Sequence, residues 1–424
     1  MMQTLAKCAI APLLFMLACC SSVDQREVRE AFYKADYKRA AELSGDFASS
    51  VDSESRSLAL LDAGLILAAS AYNYDSGMYL SEFLNSRSNS EGYLPSDTEY
   101  MAASYSLALS ALALGDKDAA KGALNFARDI AKYSPEELVQ RNAENFKKLL
   151  KRDVSGFSPS ALLGKQNADF TRQVSALYKV DNIWISESAQ LAAIKKALDL
   201  PLIPLLEGIV ALSDLKAVQD VDSARSKFAE AAGKMPSNIF LQRNLEMLDL
   251  AKRNGFVPNM TFVFYESGLG GILQSEELHS YIYVSGGSRL CADLFDFKIY
   301  KFSRDFGNDL SILADGKFYR PLLISDFDAS KRLEEVANLP FYVASRVLEC
   351  EEACEAGEAP PKLDLRSSMA MPVSVYYASL NTPKDRKLFI DGLKVNLEDA
   401  PINIVRVRRT ASGSVCSVQV FCFK

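Results

Sequence analysis

The spacing of apolar residues changes once along the chain. From residue 26 to about residue 254, apolar residues recur at i, i+3, i+4 and i+7, with frequent alanines between them. This spacing predicts amphipathic helices that pack closely. From residue 257 onward, apolar and polar residues alternate, which predicts β-strands. The sequence therefore predicts an α+β fold, with an all-α amino-terminal domain at 26–255 and a β-rich domain at 256–424.

Two stretches of the helical half share one spacing of small residues. The matching positions are Ala108, Gly115, Ala120 and Ala127 in the first stretch, and Gly208, Ala224, Phe228, Ala231 and Pro236 in the second. Weaker copies surround Asp36 and Gly64. The offsets are those of tetratricopeptide (TPR) repeats, in which a small residue on the first helix lets the second pack tightly. Stacked hairpins of this kind leave a concave groove, and an all-α domain without repeat ancestry is the alternative.

Short alternating segments separated by turn residues predict a series of strands in the carboxyl half. Residues 261–265 form the first predicted strand, and Glu266, Gly268 and Gly270 form the turn after it, at the junction of the two halves. The other predicted features are a hairpin turn at Asp391-Gly392, a helical insertion at about 326–350 and an acidic, proline-containing loop at about 351–365.

The amino-terminal residues 1–18 have the composition of a secretory signal peptide. Lys7 precedes an apolar run of about ten residues, which is too short to span a bilayer of about 30 Å. The run ends on cysteine, which resembles the lipobox of bacterial lipoproteins. That resemblance implies cleavage before Cys19 and lipidation of its sulfur, because the small Ala18 precedes it; Cys20 is the alternative anchor. An ordinary signal peptide or a displaced start codon is the competing interpretation.

Residues 19–25 would then hold the lipidated cysteine and a short tether. About six residues reach at most about 25 Å, so we expect the helical domain to lie close to the membrane. Cys20 or Ser21 follows the anchor, in place of the aspartate that retains lipoproteins on the inner membrane. The resemblance therefore implies an outer-membrane location facing the periplasm, with exposure at the cell surface left open.

Composition narrows the chemistry further. The formal net charge is −6, and together with the expected compartment this argues against nucleic-acid partners. The single histidine, His279, gives little basis for a histidine-dependent catalytic triad. No metal or cofactor is expected apart from the covalent lipid on the amino-terminal cysteine.

The remaining cysteines permit disulfides, because the periplasm is oxidising. Cys350 and Cys354 are close enough in sequence to pair locally. Cys416 and Cys422 lie about 20 Å apart if their segment is extended, so one of them would pair with Cys291 instead. A zinc site at Cys350 and Cys354 would lack a second pair of ligands.

We expect structural roles for one acidic residue and three arginines of the β half. Glu266 is expected to cap its turn or to face the junction, since no partner for a catalytic carboxylate is identifiable. Arg406, Arg408 and Arg409 are expected at a strand edge, where charge discourages edge-to-edge aggregation. Binding of an anionic glycan or lipid is the alternative role for these arginines.

Four features follow one another in order along the chain. They are a lipobox, degenerate repeats, a helix that ends in Lys252-Arg253-Asn254-Gly255, and a strand that leads into Tyr265-Glu266-Ser267-Gly268-Leu269. This order resembles an uncharacterised family of bacterial TPR-containing outer-membrane lipoproteins, over about residues 57–284. Where the family usually has a proline and a basic residue after Gly-Leu, this chain has Gly270-Gly271-Ile272. Members are often encoded beside lipoprotein activators of penicillin-binding proteins, which implies work on the envelope or on peptidoglycan.

We therefore expect a non-enzymatic, lipid-anchored scaffold in envelope biogenesis or in the regulation of peptidoglycan synthesis. Its helical groove is expected to bind other envelope proteins, while the anchor raises their effective concentration at one membrane face. One alternative is a glycan-binding lipoprotein of the SusD type, which also combines a lipobox with TPR helices. A further alternative is an envelope hydrolase with a carboxylate pair that includes Glu266.

Overall fold

The computed structural model describes most of the chain between residues 25 and 423. The described residues are 25–51, 55–86, 93, 95–134, 187–213, 221–255, 259–270, 310–335, 368–410 and 417–423, with strand positions between 272 and 301 and single helical positions between 137 and 176. Several predicted features lie outside the described residues: Cys19, Cys20, His279, Cys350, Cys354, Cys416 and the loop at 351–365.

Ten helices precede the first strand in the described part of the chain, which confirms the α+β order. They are α1 (Gln25–Tyr33), α2 (Tyr37–Ser50), α3 (Arg56–Ala69), α4 (Asn73–Asn85), α5 (Asp97–Ala113), α6 (Lys117–Lys132), α7 (Glu187–Leu198), α8 (Leu202–Ser213), α9 (Val221–Lys234) and α10 (Ile239–Asn254). Local chemistry sets where they begin. At α5, the Ser96 hydroxyl accepts from the Glu99 backbone N–H and the Glu99 carboxylate accepts from the Ser96 backbone N–H.

Consecutive helices pack as hairpins, in which glycines allow close contact. The pairs are α1 with α2, α3 with α4, α5 with α6, and α8 with α9. A Cβ at Gly208 would lie 2.5 Å from Cε1 of Phe228, and one at Gly64 would lie 2.6 Å from Cδ2 of Leu80. Any larger residue at these positions would hold the two helices apart, so the glycines are packing positions.

Thirteen strands are described in the carboxyl half. They are β1 (Met260–Ser267), β2 (Ile272–Leu278), β3 (Ile282–Tyr283), β4 (Leu290–Cys291), β5 (Phe295–Lys301), β6 (Ile312–Ala314), β7 (Lys317–Tyr319), β8 (Leu322–Asp326), β9 (Ser374–Asn381), β10 (Lys387–Ile390), β11 (Leu393–Asn396), β12 (Ile402–Arg409) and β13 (Ser417–Phe423). Residues 327–335 are helical, inside the predicted insertion.

The strands form two main sheets. The larger sheet has the order β13-β12-β1-β9-β8, and the smaller sheet has the order β11-β10-β6-β7. β2 pairs with β5, and β3 pairs with β4. β1 and β12 run parallel, whereas β1 and β9 run antiparallel.

The larger sheet packs against the helices, and together they form one hydrophobic core. Every residue of β1 is buried. The Phe262 ring lies 6.1 Å from the Phe228 ring of α9, measured between centroids. In α10, Asn244 Nδ2 donates to the Tyr377 hydroxyl of β9 at 2.8 Å. β1 therefore reads as a nearly continuous apolar run, because both of its faces are covered.

The smaller sheet contacts the opposite face of β1. Tyr265 donates its hydroxyl to Asp391 Oδ2 at 3.1 Å, and Arg409 Nη1 lies 3.5 Å from the same oxygen. Asp391 and Gly392 have φ values of 49° and 83°, so the predicted two-residue hairpin turn is confirmed. The larger sheet is thus covered by helices on one face and contacted by the smaller sheet on the other.

We predict that Gly208→Ala lowers the free energy of unfolding by about 1–3 kcal/mol, because the new methyl group would overlap the buried Phe228 ring. Gly122→Ala is the matched control. Gly122 lies within α6 and a Cβ there meets nothing within 4 Å, so alanine should be neutral or stabilise by up to about 1 kcal/mol. Urea titration of both variants measures the difference, and equal losses would contradict the packing role.

Candidate functional site

A buried ion pair joins the end of β1 to α5. Arg406 Nε of β12 donates to Glu266 Oε1 at 2.6 Å, and both side chains are 2% exposed. Arg406 Nη2 also donates to the hydroxyl of Ser106 in α5 at 3.2 Å. In the parallel register Glu266 lies opposite Arg408, so Arg406, two residues earlier, shares that face. The charge pair therefore connects the sheet to the helical half.

Arg408 shares the same carboxylate at longer range. Its Nη1 lies 3.9 Å from Glu266 Oε2, and its Nη2 donates to the carbonyl of Ala370 at 2.8 Å. The guanidinium also lies 5.9 Å from the ring centroid of Phe32 in α1. The electron-rich face of that ring offsets part of the extra positive charge. A single carboxylate thus serves two guanidiniums, and Arg406 Nη1, Arg408 Nε and Arg408 Nη1 make no hydrogen bond with the described residues.

Burial shifts proton equilibria around this carboxylate. Burial and the negative charge of Glu266 raise the pKa of Tyr105 well above 10, so its hydroxyl stays neutral. Burial lowers the pKa of the Arg408 guanidinium, and Glu266 opposes that shift. The Arg406 guanidinium lies 5.9 Å from the Tyr105 ring centroid. We name these four residues the Glu266 cluster.

Residues 368–371, here named the strap, cross between sheet and helices. Ser368 Oγ donates to Asp62 Oδ1 of α3 at 2.6 Å, and the next backbone N–H donates to the same oxygen at 3.0 Å. The Ser368 N–H donates to Glu99 Oε1 at 3.0 Å. Burial raises the pKa of Asp62 to about 6, against the attraction of a nearby arginine. A Cβ at Gly270 would lie 1.9 Å from the Ser368 carbonyl oxygen, so glycine lets the strap pass.

A second buried charged group lies where the 327–335 helix meets α5. Lys331 Nζ lies 3.0 Å from Glu99 Oε2, with side chains 7% and 0% exposed. The backbone N–H and hydroxyl of Thr98 donate to Glu334 Oε1 at 2.9 and 3.0 Å. We name Glu99, Lys331, Glu334 and Glu335 the Lys331 cluster. It joins the helical insertion to the amino-terminal end of α5.

The carboxyl groups of the Lys331 cluster differ in the direction of their pKa shifts. Burial raises the pKa of Glu335 to about 7, despite the attraction of Lys331. Burial and the negative charge of Asp97 also raise the pKa of Glu334. For Glu99, the penalty of burial is outweighed by Lys331 and by hydrogen bonds, so its pKa is lowered. Glu99 is therefore the ionised partner of Lys331, whereas Glu335 titrates near neutral pH.

The three predicted turn residues all lie where β1 ends against the helices, but Glu266 belongs to β1 and not to the turn after it. Glu266 belongs to its ion-paired cluster, and Gly270 lies under the strap. Gly268 has a φ of 78°, and its N–H donates to the carbonyl of Arg409 at 2.9 Å. The Glu266 side chain is 2% exposed and ion-paired, so it packs within the junction.

The repeat positions lie inside hairpins and in their turns. Seven are buried: Ala108, Ala120, Ala127, Gly208, Ala224, Phe228 and Ala231. Gly115 and Pro236 are exposed, and Gly115 has a φ of 76° in the turn after α5. The seven buried residues hold helices together and do not line a surface that a partner could reach.

The open concave groove expected from the sequence is not present in the described structure. The first helices of their hairpins, α3 and α5, are buried along nearly their whole length. Gln419 of β13 donates to the carbonyl of Ala68 in α3 at 2.5 Å, and the Tyr105 ring of α5 lies 6.3 Å from Phe264 of β1. The chain's own sheet occupies this face, so a bound peptide would have to contact another surface.

The edge-strand prediction for the arginines is wrong. β12 is an inner strand between β13 and β1. Arg406 and Arg408 are buried, and Arg409 is mostly buried beside Asp391. Their guanidinium groups are paired with the carboxylates of Glu266 and Asp391 and do not protect an edge.

Sequence reasoning missed Asp62, Glu99 and Lys331. Asp62 did carry a signal, because it is the only charged residue in the otherwise apolar run of α3 after Arg56. A lone carboxylate in such a run indicates a buried polar contact. Glu99 and Lys331 had no comparable signal, since each stands among other polar residues in sequence.

The structure describes two of the five cysteines in the disulfide predictions. Cys291 lies in β4, and the half-buried Cys422 lies in β13 opposite Asn403 of β12. The other three cysteines fall outside the described residues, so the pairing stays a prediction.

A small cleft of about 150 Å³ opens among α6, α7, α8 and α9. Arg128 on its wall is ion-paired with Glu207 and Glu230, and Lys234 is ion-paired with Asp199. These charges are matched within the protein, so the cleft gives no clear preference for a charged ligand.

We predict that Glu266→Gln lowers the free energy of unfolding by about 3–5 kcal/mol, because two buried guanidiniums would lose the carboxylate that pairs with them. Asp222→Asn is the control, since it breaks the exposed ion pair with Lys252 and should cost less than about 1 kcal/mol. Urea unfolding compares the two. Similar small effects would show that the Glu266 cluster contributes little.

We also predict that stability falls as the pH rises from 5 to 8. The folded-state pKa of Glu335, about 7, exceeds its usual value of 4.5, so its contribution is complete below pH 4.5 and is lost by about pH 7. The charged groups around it are Lys331, Glu99, Asp328 and Arg332. Glu99 has a lowered pKa, so its contribution stays constant in this range.

Glu335→Gln should therefore flatten the pH profile by about 1–3 kcal/mol between pH 5 and 8. Glu398→Gln, at an exposed position, is the control and should leave the slope unchanged. Unfolding free energies at several pH values test this, and parallel profiles for all three proteins would refute it.

No protein-family model, curated protein or solved structure matches this chain. Within the described residues, no histidine, cysteine, aspartate and glutamate side chains form a group of three or more that could hold a metal ion. None of the described helices is long and apolar enough to cross a membrane.

Proposed function

We propose that this protein is a lipid-anchored, non-catalytic scaffold at the periplasmic face of the outer membrane, serving envelope biogenesis or the regulation of peptidoglycan synthesis. The signal segment that ends at Cys19 and Cys20 supports the anchor. The enclosed Glu266 and Lys331 clusters support a structural role for the charged residues, since their side chains fasten the sheet to the helices.

The helical half is a set of divergent TPR-like hairpins. The close contacts of Gly64 with Leu80 and of Gly208 with Phe228 support this, because both pack a small residue of one helix against its hairpin partner. The turn at Gly115 agrees with the same pattern. Hairpins of this kind expose one side of each second helix.

Partner proteins bind the outer face of α4 in this proposal, because the sheet fills the groove. Tyr74 and Met78 are 67% and 51% exposed, and their i,i+4 spacing places them on one face of α4. Tyr72, just before the helix, is also exposed. The opposite side of α4 buries Leu80 and Phe83. Large apolar side chains grouped on an exposed helix are typical of protein-binding surfaces, and this group carries the proposal.

Glycan binding is the second candidate function. The exposed rings of Tyr72 and Tyr74 favour it, because aromatic faces stack on sugar rings. No observation favours a hydrolase that uses Glu266, since that carboxylate is enclosed and ion-paired.

The test is site-specific photo-crosslinking in intact envelopes. We predict that a photoreactive residue at Tyr74 captures a discrete envelope protein. Tyr74→Asp with Met78→Asp should weaken recovery of that protein at least about tenfold, since truncating a central apolar contact typically costs about 2 kcal/mol. Leu114→Asp with Ile239→Asp, at exposed apolar positions elsewhere on the helices, should not.

Two outcomes would change the proposal. Equal recovery by both double variants would refute the α4 surface, and capture of glycan strands without protein would favour the second candidate.

The lipid anchor is checked in the same cells. Labelled palmitate should enter the native and Cys20→Ala chains but not Cys19→Ala. If both cysteines are dispensable for sedimentation with membranes, the lipoprotein assignment fails.

A further inference from the structure

The smaller sheet has one buried face and one open face. Phe389 of β10 lies opposite Leu313 of β6, which in turn lies opposite Phe318 of β7. Directly paired residues project from the same face, so these three side chains form an apolar row. Phe318 is 77% exposed and Phe389 is 39% exposed. The other face holds residues buried in the core: Ile312, Ala314, Leu388, Ile390 and Val395. Lys317 and Leu393 are exposed at the margins of that face.

Lysines accompany the apolar row. Lys394 of β11 lies opposite Phe389, and Lys387 of β10 lies opposite Asn396. Both lysines are exposed, and neither takes part in an ion pair with another described residue. The exposed acid Asp315 lies in the turn between β6 and β7, at the end of the sheet. We name the six outward positions the outer face; they are Leu313, Phe318, Lys387, Phe389, Lys394 and Asn396.

The outer face carries a charge of the opposite sign to the net charge of the protein. The chain carries a formal net charge of −6, whereas the outer face has two cationic side chains and no acidic one. Aromatic side chains beside lysines match the layer where lipid phosphates meet acyl chains, and the neighbouring exposed acids Asp315, Asp385 and Glu398 lie at the ends of the sheet. Such a face fits an anionic lipid surface by charge as well as by polarity.

The outer face also lies near the amino-terminal end of the protein. The Tyr37 hydroxyl at the start of α2 lies 2.9 Å from Oγ1 of Thr410, just after β12. The neighbouring Arg409 lies 3.5 Å from Asp391, in the turn that joins β10 to β11. One end of β12 thus meets both the first helices and the smaller sheet. The smaller sheet is therefore joined through β12 to the helices that follow the tether.

We propose that the outer face docks on a bilayer surface that contains anionic phospholipid. The phenylalanine rings enter the interfacial layer, and Lys387 and Lys394 approach lipid phosphates. Docking fixes the orientation of the protein on its membrane, which a flexible tether alone does not. This inference deepens the proposed function and rests on its membrane location.

The test places a fluorescent reporter on the outer face of the full-length, lipidated protein. Phe318→Trp is reconstituted into vesicles of phosphatidylcholine with phosphatidylglycerol, some of whose chains carry bromine. Bromine quenches tryptophan that enters the lipid, and the signal of the native chain, which has one tryptophan, is subtracted. Tyr74→Trp on α4 is the matched control at a similarly exposed position.

We predict blue-shifted emission and strong bromolipid quenching at position 318, with little effect at position 74. Lys387→Gln with Lys394→Gln should lower the ratio of docked to undocked protein about 30-fold, since each lysine near an anionic surface contributes about 1 kcal/mol. Lys148→Gln with Lys196→Gln removes the same charge elsewhere and should preserve the quenching.

Three results would overturn the inference. In the first, the tryptophan at position 318 is quenched by acrylamide in the water and not by the brominated lipid. In the second, the tryptophans at positions 318 and 74 are quenched equally by the lipid. Protection of position 318 that depends on protein concentration and not on lipid would assign the face to a second copy of the chain. Failure of the anchor is a separate result, because palmitate labelling reports it independently of the reporter.

Discussion

The arrangement of the sheet on the helices depends on one carboxylate between two arginines. Once the sheet covers α5, Glu266, Arg406 and Arg408 have no water, so their partners must come from the protein. Those partners belong to two parallel strands, a helix and the strap. A slip of β1 or β12 by one residue would turn its charges to the opposite face of the sheet. The register is therefore specified by charge as well as by apolar pattern.

The same logic makes the two halves interdependent. The strap belongs to the carboxyl half, yet its backbone and hydroxyl donors are satisfied by Asp62 and Glu99 of the helices. Lys331 in turn neutralises Glu99 from the insertion. If the strap and the sheet were removed, Asp62 and Glu99 would lose the donors of the strap, and an apolar face would meet water. The boundary between helices and strands in sequence is thus no boundary in the core.

Elements that depend on neighbouring residues were predictable, and elements that depend on distant ones were not. The helices, the change to strands and the Asp391-Gly392 turn follow from local spacing and turn chemistry. The alternation of apolar residues and arginines in β12 resembles a strand with one solvated face. β12 is an inner strand because it pairs with both β13 and β1, and its Arg406 is paired with Glu266, 140 residues away in sequence. Nothing local indicates such a pair, so the junction could not be derived from sequence.

The filled groove changes what helical hairpins of this kind can do. In an open array the first helices form the binding surface, but here α3 and α5 belong to the core of the sheet. Recognition then falls to surfaces that folding leaves uncovered, which are the outer sides of second helices and the outer face of the smaller sheet. These lie on opposite sides of the larger sheet. In the proposed function, a protein docked on its membrane by one of these surfaces would present the other to the periplasm.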